Sequence, residues 1–491
     1  SASWLNSAQT TIHSDTRTGE ILNASILINA NMISVQYADR IGATVAIDPR
    51  VRTTVFPQEI QGELIQAAIA QAVGTGLGLT MNWGASCAYP VDSLRSASFT
   101  QKYGLASSVM GGVIINDVAT EEDVRNGVCL VNTKPGPYDE LVIKYLYQPI
   151  YASSLQEEKE TLDSWIREHT GDPYYAYIRN QSRFDSDPRN SRGSLGDDHL
   201  KSCDYMLPNV RKGFENYYSW FAKEDRDFLM RRRVHSALSE RLSGRIYAIL
   251  SYIGGIYLND IREKDAIPSY SMVDREKQKA ALSKALELAK NLDWVDDTAH
   301  LNEFEISDKK ADRLRLDIFN GIFGRLPYVE VCTERFPDAA YTASEYLDDI
   351  YGIVWEGVLK HRPLENFDRA LQTAFLESII STSTATAPIG SFKASKTGFA
   401  ATGKPEINLA ALRNGGKVDM KMYSLQNAEE VAGFSSIPPI YTNQTKIAAY
   451  YFDLLMRTKD MLKKAISTAP EADRSHYDLL IYRINKATEI E

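Results

Sequence analysis

Apolar and polar positions alternate with different periods in the two parts of this chain. Near the start, Glu20–Asn29 is rich in β-branched and apolar residues, with Ile26 and Ile28 on one side of the alternation, which predicts a strand. Ser1–Ala8 is a second, shorter candidate, and Thr16–Gly19 carries the turn signal between them. The segment 36–58 reads as a connector with one short strand at Ala43–Ile47. From residue 59 the period changes. Ile60, Leu64, Ala67, Ala68 and Val73 fall close to helical spacing behind Pro57, and Gly74, Gly76 and Gly78 end the run, so a helix is predicted over about 59–77. Irregular chain with Pro90 follows, then a tight turn at Gly111–Gly112 and a short helix from Gly136-Pro-Tyr-Asp139 to about Tyr147.

Beyond residue 150 the pattern is almost wholly helical. Helices are predicted at 154–169, 206–221, 225–259, 275–292, 308–323, 343–360, 365–381, 440–466 and 470–488. Two polar passages interrupt them: Asn180–Asp198, and Ser381–Pro405, which reads as a long surface loop. No repeat of 20–50 residues is visible, which argues against a solenoid. The expected class is α+β, with a mixed unit over 1–150 and a mainly helical region over 151–491.

Composition narrows the function classes. The 491 residues are 44% hydrophobic and 24% charged, within the range of a globular protein with a large core. A net charge of -9 argues against a nucleic-acid surface, and Arg231-Arg232-Arg233, among acidic residues in a helical pattern, reads as a solvated helix face. No apolar run reaches the roughly 18 residues that span a bilayer, so no transmembrane segment is expected. Ser1 opens no signal-peptide or lipid-anchor pattern, which fits a cytosolic protein or a processed one. Cys87, Cys129, Cys203 and Cys332 form no CxxC pair and read as buried thiols. The seven histidines are scattered, and no two stand at i,i+4.

The chemistry centres on the helix at 59–77 and its turn. A catalytic zinc site takes two ligands one helical turn apart, a third just beyond, and a carboxylate base. Aligned with the motif His-Glu-x-x-His-x-x-Gly-x-x-His, the frame of this stretch fits but the donors are gone. Gln71, Thr75 and Met81 occupy the three histidine positions, Ala72 the glutamate position, and Gly78 keeps the turn. An amide, a hydroxyl and a thioether are poor zinc donors. Glu63 lies two helical turns away, roughly 12 Å along the axis, and cannot replace the base. The glycines at 74, 76 and 78 do not match a nucleotide-binding loop, which needs G-x-G-x-x-G after a strand.

Other residues repeat this agreement of frame. The chain resembles the bacterial metzincin-like zinc-dependent metalloproteases that carry a long helical C-terminal region. The resemblance rests on Asp15-Thr-Arg-Thr-Gly-Glu-Ile21, Leu77-Gly-Leu79, Asn82, Ser86, Ser108-Val-Met110, Tyr138-Asp139, Asp187-Pro-Arg189, Leu195-Gly-Asp-Asp198, Tyr252-Ile-Gly-Gly255, Glu276-Lys-Gln278, Trp355-Glu356 and Arg369-Ala-Leu-Gln372. It implies that Met110 is the methionine of the Met-turn, which lies under the zinc in that family. Gly111–Gly112 replaces the Asp-Tyr that usually follows. Departures concentrate at Gln71, Ala72, Thr75, Met81 and the Met-turn tail, so the resemblance implies a pseudoprotease in which the family's zinc is lost and no cofactor remains. It further implies an extracytoplasmic protein acting by binding or as a structural subunit of the cell envelope.

Two alternatives stand beside that reading. An active hydrolase would recruit other ligands, such as His13 or His199 with Asp197 and Asp198. The acidic residues Asp185, Asp187, Asp197 and Asp198 could hold calcium, against the plainer reading of a solvated turn. The resemblance also places the earlier strands of a metzincin sheet outside this chain. A separate N-terminal segment or a protein partner is therefore expected to complete the sheet near Glu20–Asn29.

Overall fold

The computed structural model describes residues 8–28, 32–178, 186–190, 193–259, 261, 265–296, 300, 310–383 and 444–488. Ser1–Ser7 of the expected first strand, Asp185 and nearly all of the loop expected at Ser381–Pro405 lie outside them. Two antiparallel strands come first, β1 (Gln9–Ser14) and β2 (Ile21–Leu27), joined through Asp15–Glu20 with Gln9 opposite Leu27. The turn is closed by backbone bonds from Gly19 and Asp15 and by Arg17, whose side chain pairs with Asp15.

The next element corrects an expectation. Met32–Thr44 is a helix, α1, and Ala43–Ile47 is not a strand. The apolar run Ile41–Ile47 is buried on all sides, and its residue types alone do not separate a buried strand from a buried helix. Tertiary packing decides. Gly42 lies so close to α8 (Leu229–Leu250) that an added Cβ would stand 2.5 Å from the Ala237 carbonyl oxygen. Arg40, fully buried, pairs with Asp48 at 2.8 Å.

The helix α2 (Gln58–Gly76) follows Pro57 and ends at Gly78, whose φ of +89° is the left-handed conformation that glycine supplies without strain. Its buried stripe is Ile60, Leu64, Ala67, Ala68 and Ala72; Val73 and Leu77, each 41% exposed, lie off it. Short turns of helix then lead through α3 (Ala97–Tyr103) and α4 (Glu121–Arg125) to α5 (Pro137–Tyr147) and α6 (Leu155–Arg167). The long pair α7 (His199–Phe221) and α8 runs behind them. Helix α7 starts earlier than its periodicity suggested because Asp198 caps it, accepting from the Leu200 and Lys201 amides.

Helix α8 ends at Leu250, not 259, and the chain turns at Gly254 into β3 (Ile256–Leu258), which pairs with β4 (Tyr270–Met272). Gly254 has φ +63°, and a Cβ there would stand 2.5 Å from the Val329 amide. After α9 (Arg275–Lys290) and α10 (Lys310–Gly324) comes α11 (Leu326–Arg335), a helix missing from the sequence-based expectation, then α12 (Ala343–Val354), α13 (Glu356–Leu359) and α14 (Asn366–Ser383). The fold is α+β and mostly helical.

The chain divides into two compact units, Ser1–Leu359 with Leu364–Phe375, and Lys360–Pro363 with Leu376–Glu491. The second has its own core where Leu376, Ile379, Tyr451, Leu455, Tyr477 and Leu480 are buried along α14, α15 (Gln444–Ala465) and α16 (Glu471–Thr488).

In the first unit a buried charge set ties α8 to the segment before α4. Arg241 Nε donates to Asp117 Oδ2 at 2.6 Å, and Arg245 Nη2 donates to both Asp117 oxygens at 2.7 and 2.9 Å. Burial by itself would push the Asp117 carboxyl up; the two guanidinium groups outweigh it and hold it below the usual carboxylate range. Removing one member of such a set strands the others in low dielectric. Asp117→Asn should therefore cost about 3–5 kcal/mol, read as a lowered midpoint in chemical unfolding; an unchanged midpoint would show that the pairing contributes nothing.

Candidate functional site

The site forms where α2, its glycine turn and the short helical turn at Val109–Gly111 meet. Gln71 and Thr75 stand one turn apart on α2, both half-buried. Gln71 Nε2 donates to Met81 Sδ at 3.0 Å, so the first and third positions of the motif touch directly. Thr75 Oγ1 donates back to the Gln71 carbonyl oxygen at 3.2 Å. Ala72 is buried, and its carbonyl oxygen accepts from Thr10 Oγ1 of β1 at 2.8 Å. The hairpin lies over the end of α2: a Cβ on Gly76 would sit 3.6 Å from Ala24 and Thr10.

Met110 is 1% exposed and packs with Leu79 and Val109 against Ala70, Met81, Val142 and Ile143. Its sulfur is so near α2 that a Cβ on Gly74 would approach it to 2.6 Å. Gly74 is thus required by a close approach as well as by its place before the turn.

The turn carrying Met110 is fixed by one buried carboxylate. Asp139 accepts from Ser108 Oγ at 2.5 Å, from the Val109 amide at 2.9 Å and from the Gly136 amide at 2.9 Å. Burial pushes the Asp139 carboxyl up, against the lowering effect of these three donors. Ser108 Oγ also accepts from the Met110 amide. Locally, an acid three residues after Gly136, with Pro137 between, is a helix-start pattern that marks the beginning of α5. Its second role, clamping a turn some thirty residues earlier, has no local signature.

Asn82 holds the other side. It is fully buried, donates to the Ala176 carbonyl, accepts from the Ile178 and Gly84 amides, and its own amide bonds to the Met110 carbonyl at 3.0 Å.

The residues considered as substitute ligands are dispersed. His13 is exposed on β1, opposite Asn23. His199 is buried at the start of α7, with Nε2 bonded to the Pro188 carbonyl at 2.9 Å. Asp197 accepts from the Val91 amide, Asp198 caps α7 and pairs with Lys277, and Asp187 holds Arg189 and the Leu258 amide. Among the described residues no three His, Cys, Asp or Glu side chains group as metal ligands. The donors at 71, 75 and 81 do not fit zinc: the amide nitrogen is engaged with the thioether, the hydroxyl with the helix backbone, and none carries negative charge or an imidazole.

A family model described as Met-zincin matches residues 53–362, more than half of the chain. No curated protein and no solved structure matches.

If Asp139 fixes the Met110 turn, Asp139→Ala leaves three donors without their acceptor in a buried place. The expected loss is about 1–3 kcal/mol, with faster proteolysis near Ser108–Gly112. A variant with unaltered unfolding and cleavage pattern would show that the turn is held by packing alone.

Proposed function

The chain belongs to the Met-zincin family, and on that premise we propose that it is a member without catalytic activity, acting by binding or as a structural subunit. The observation that carries this reading is the contact between Gln71 and Met81. Two positions where the motif requires metal donors have turned their polar atoms toward each other, and Ala72 offers no carboxylate to take a proton from water. The first part of the chain, 1–150, is on this reading a degenerate catalytic domain, and 151–491 its helical companion. An extracytoplasmic location follows from the sequence resemblance. No helix among the described residues is long and apolar enough to cross a membrane.

Metal analysis of the purified protein together with a general protease assay tests the proposal. We expect zinc well below one equivalent and no cleavage; stoichiometric zinc with cleavage would establish the alternative, an active hydrolase with other ligands. The triple variant Gln71→His, Thr75→His, Met81→His should bind zinc measurably, because the turn at Gly78 and the seat of Met110 persist. No gain over the parent would mean that the frame has diverged. Adding Ala72→Glu places a carboxylate at a buried position beneath β1, so it should lower stability even if it restores a base.

The hairpin supports an association. Leu22 and Leu27 are 65% and 68% exposed, and Ile26 and Ile28 are exposed as well. A two-stranded sheet is marginal alone and presents free edges, and neither strand carries Lys, Arg, Asp, Glu or Pro to blunt them. On this reading further polypeptide, either a separate N-terminal segment or a partner protein, adds a strand beside β1 or β2. Native mass spectrometry and sizing of material from its source should reveal it. A lone monomer with residues 8–28 resistant to protease would refute the association while leaving the loss of catalysis untouched.

A further inference from the structure

Helices α9 and α12 of the first unit are joined by charged rungs. Arg275 pairs with Glu345, and one turn further along each helix Lys279 Nζ stands 3.9 Å from Asp349 Oδ2. Another turn on, the same spacing reaches Ser283 and Ile353, which cannot form an ion pair. A cavity of about 430 Å³ opens there, lined by both of them, by Leu282 and Gly352, and by the charged groups of the second rung. Small-molecule sites commonly enclose roughly 300–1,000 Å³.

Gly352 keeps this place open. It lies in the last turn of α12 without a positive φ, and a Cβ added to it would meet nothing within 4 Å. Neither a left-handed backbone nor a close neighbour calls for glycine, one of the poorest helix formers. What it supplies is room.

The charges decide what fits. Tyr341, fully buried, donates its hydroxyl to Asp349 Oδ2 at 2.6 Å. Burial first, and then that bond, push the Tyr341 hydroxyl far above its usual range, so it stays a donor. Lys279 Nζ approaches the same carboxylate oxygen and lies 5.2 Å from the centre of the Tyr341 ring. Both partners use Oδ2, and no described residue bonds to Asp349 Oδ1. With Asp348 also in the lining, the cavity sets two carboxylates against one ammonium.

An anion would be repelled there, and a purely apolar molecule would cover charges without answering them. A guanidinium offers paired N–H donors to a carboxylate, and it gives up less hydration than an ammonium on leaving water. We propose that the cavity between α9 and α12 binds an alkylguanidinium, its planar head on Asp349 Oδ1 and Asp348 and its carbon stem over Gly352 against Leu282 and Ile353. Such a group comes either as a free small molecule or as an arginine side chain of a peptide. The site shares no residue with positions 71, 72, 75 and 81, so it stands whether or not the protein is catalytic.

Ligand-observed NMR on the full chain tests this. The probes are butylguanidinium for the free form, acetyl-arginine amide for the peptide form, and butylammonium and butyrate for comparison. We expect saturable binding of a guanidinium probe, weaker binding of butylammonium and none of butyrate; the tighter guanidinium probe identifies the source. No binding of either guanidinium probe, or equal binding of butylammonium or butyrate, would overturn the proposal. Asp349→Asn should weaken binding about tenfold or more, as loss of a charge-assisted bond predicts. Gly352→Leu fills the cavity from a position with free space, so it should abolish binding while leaving the thermal midpoint unchanged or raised. Undiminished binding in either variant would overturn the placement.

Discussion

A carboxylate buried away from water has to be answered by charge, and Asp117 is answered by two arginines from a helix more than a hundred residues further along. That requirement pins the segment 113–118 against α8. From there the order passes to the site in steps. Ile115 bridges Val131, the Asn132 amide bonds to the Ile114 carbonyl, and Asn132 Oδ1 accepts from the Leu105 amide. Leu105 leads directly into Ser107 and the turn that carries Met110. The long helices thus position the turn beneath α2 without contributing a residue to it.

None of the parts that hold the frame of the site has to be a metal ligand. Gly78 is required by its backbone conformation, Asn82 by four hydrogen bonds, and Asp139 by three. These interactions stabilise the fold whether or not an ion is present. Metal binding commonly contributes to folding, but here the apolar packing of Leu79, Val109 and Met110 with Met81 occupies that part of the molecule.

The hairpin differs in kind. Its backbone pairs are made internally and one side rests on α2 at Gly76, yet β2 leaves most of its apolar side chains in water. Hydrophobic burial drives most of folding, and this strand is the part of the described chain that departs from it most plainly.

Much was legible in the residues alone. The helix at Gln58–Gly76, its glycine stop, the start of α5 and most of the later helices follow from period and capping chemistry, which are local. Four features were settled only by tertiary packing. Ile41–Thr44 ends a helix instead of starting a strand because Gly42 packs on Ala237, and α8 stops at Leu250 because Gly254 meets the backbone of α11. Val73 fits the helical period of α2 but faces outward, since Ala68 and Ala72 fill the side toward the core. Asp139 reads locally as a helix-start residue, and only folding brings Ser108 and Val109 within its reach. Sequence determines what a residue can do chemically and which local backbone it favours; which partner it finds depends on where the rest of the chain packs.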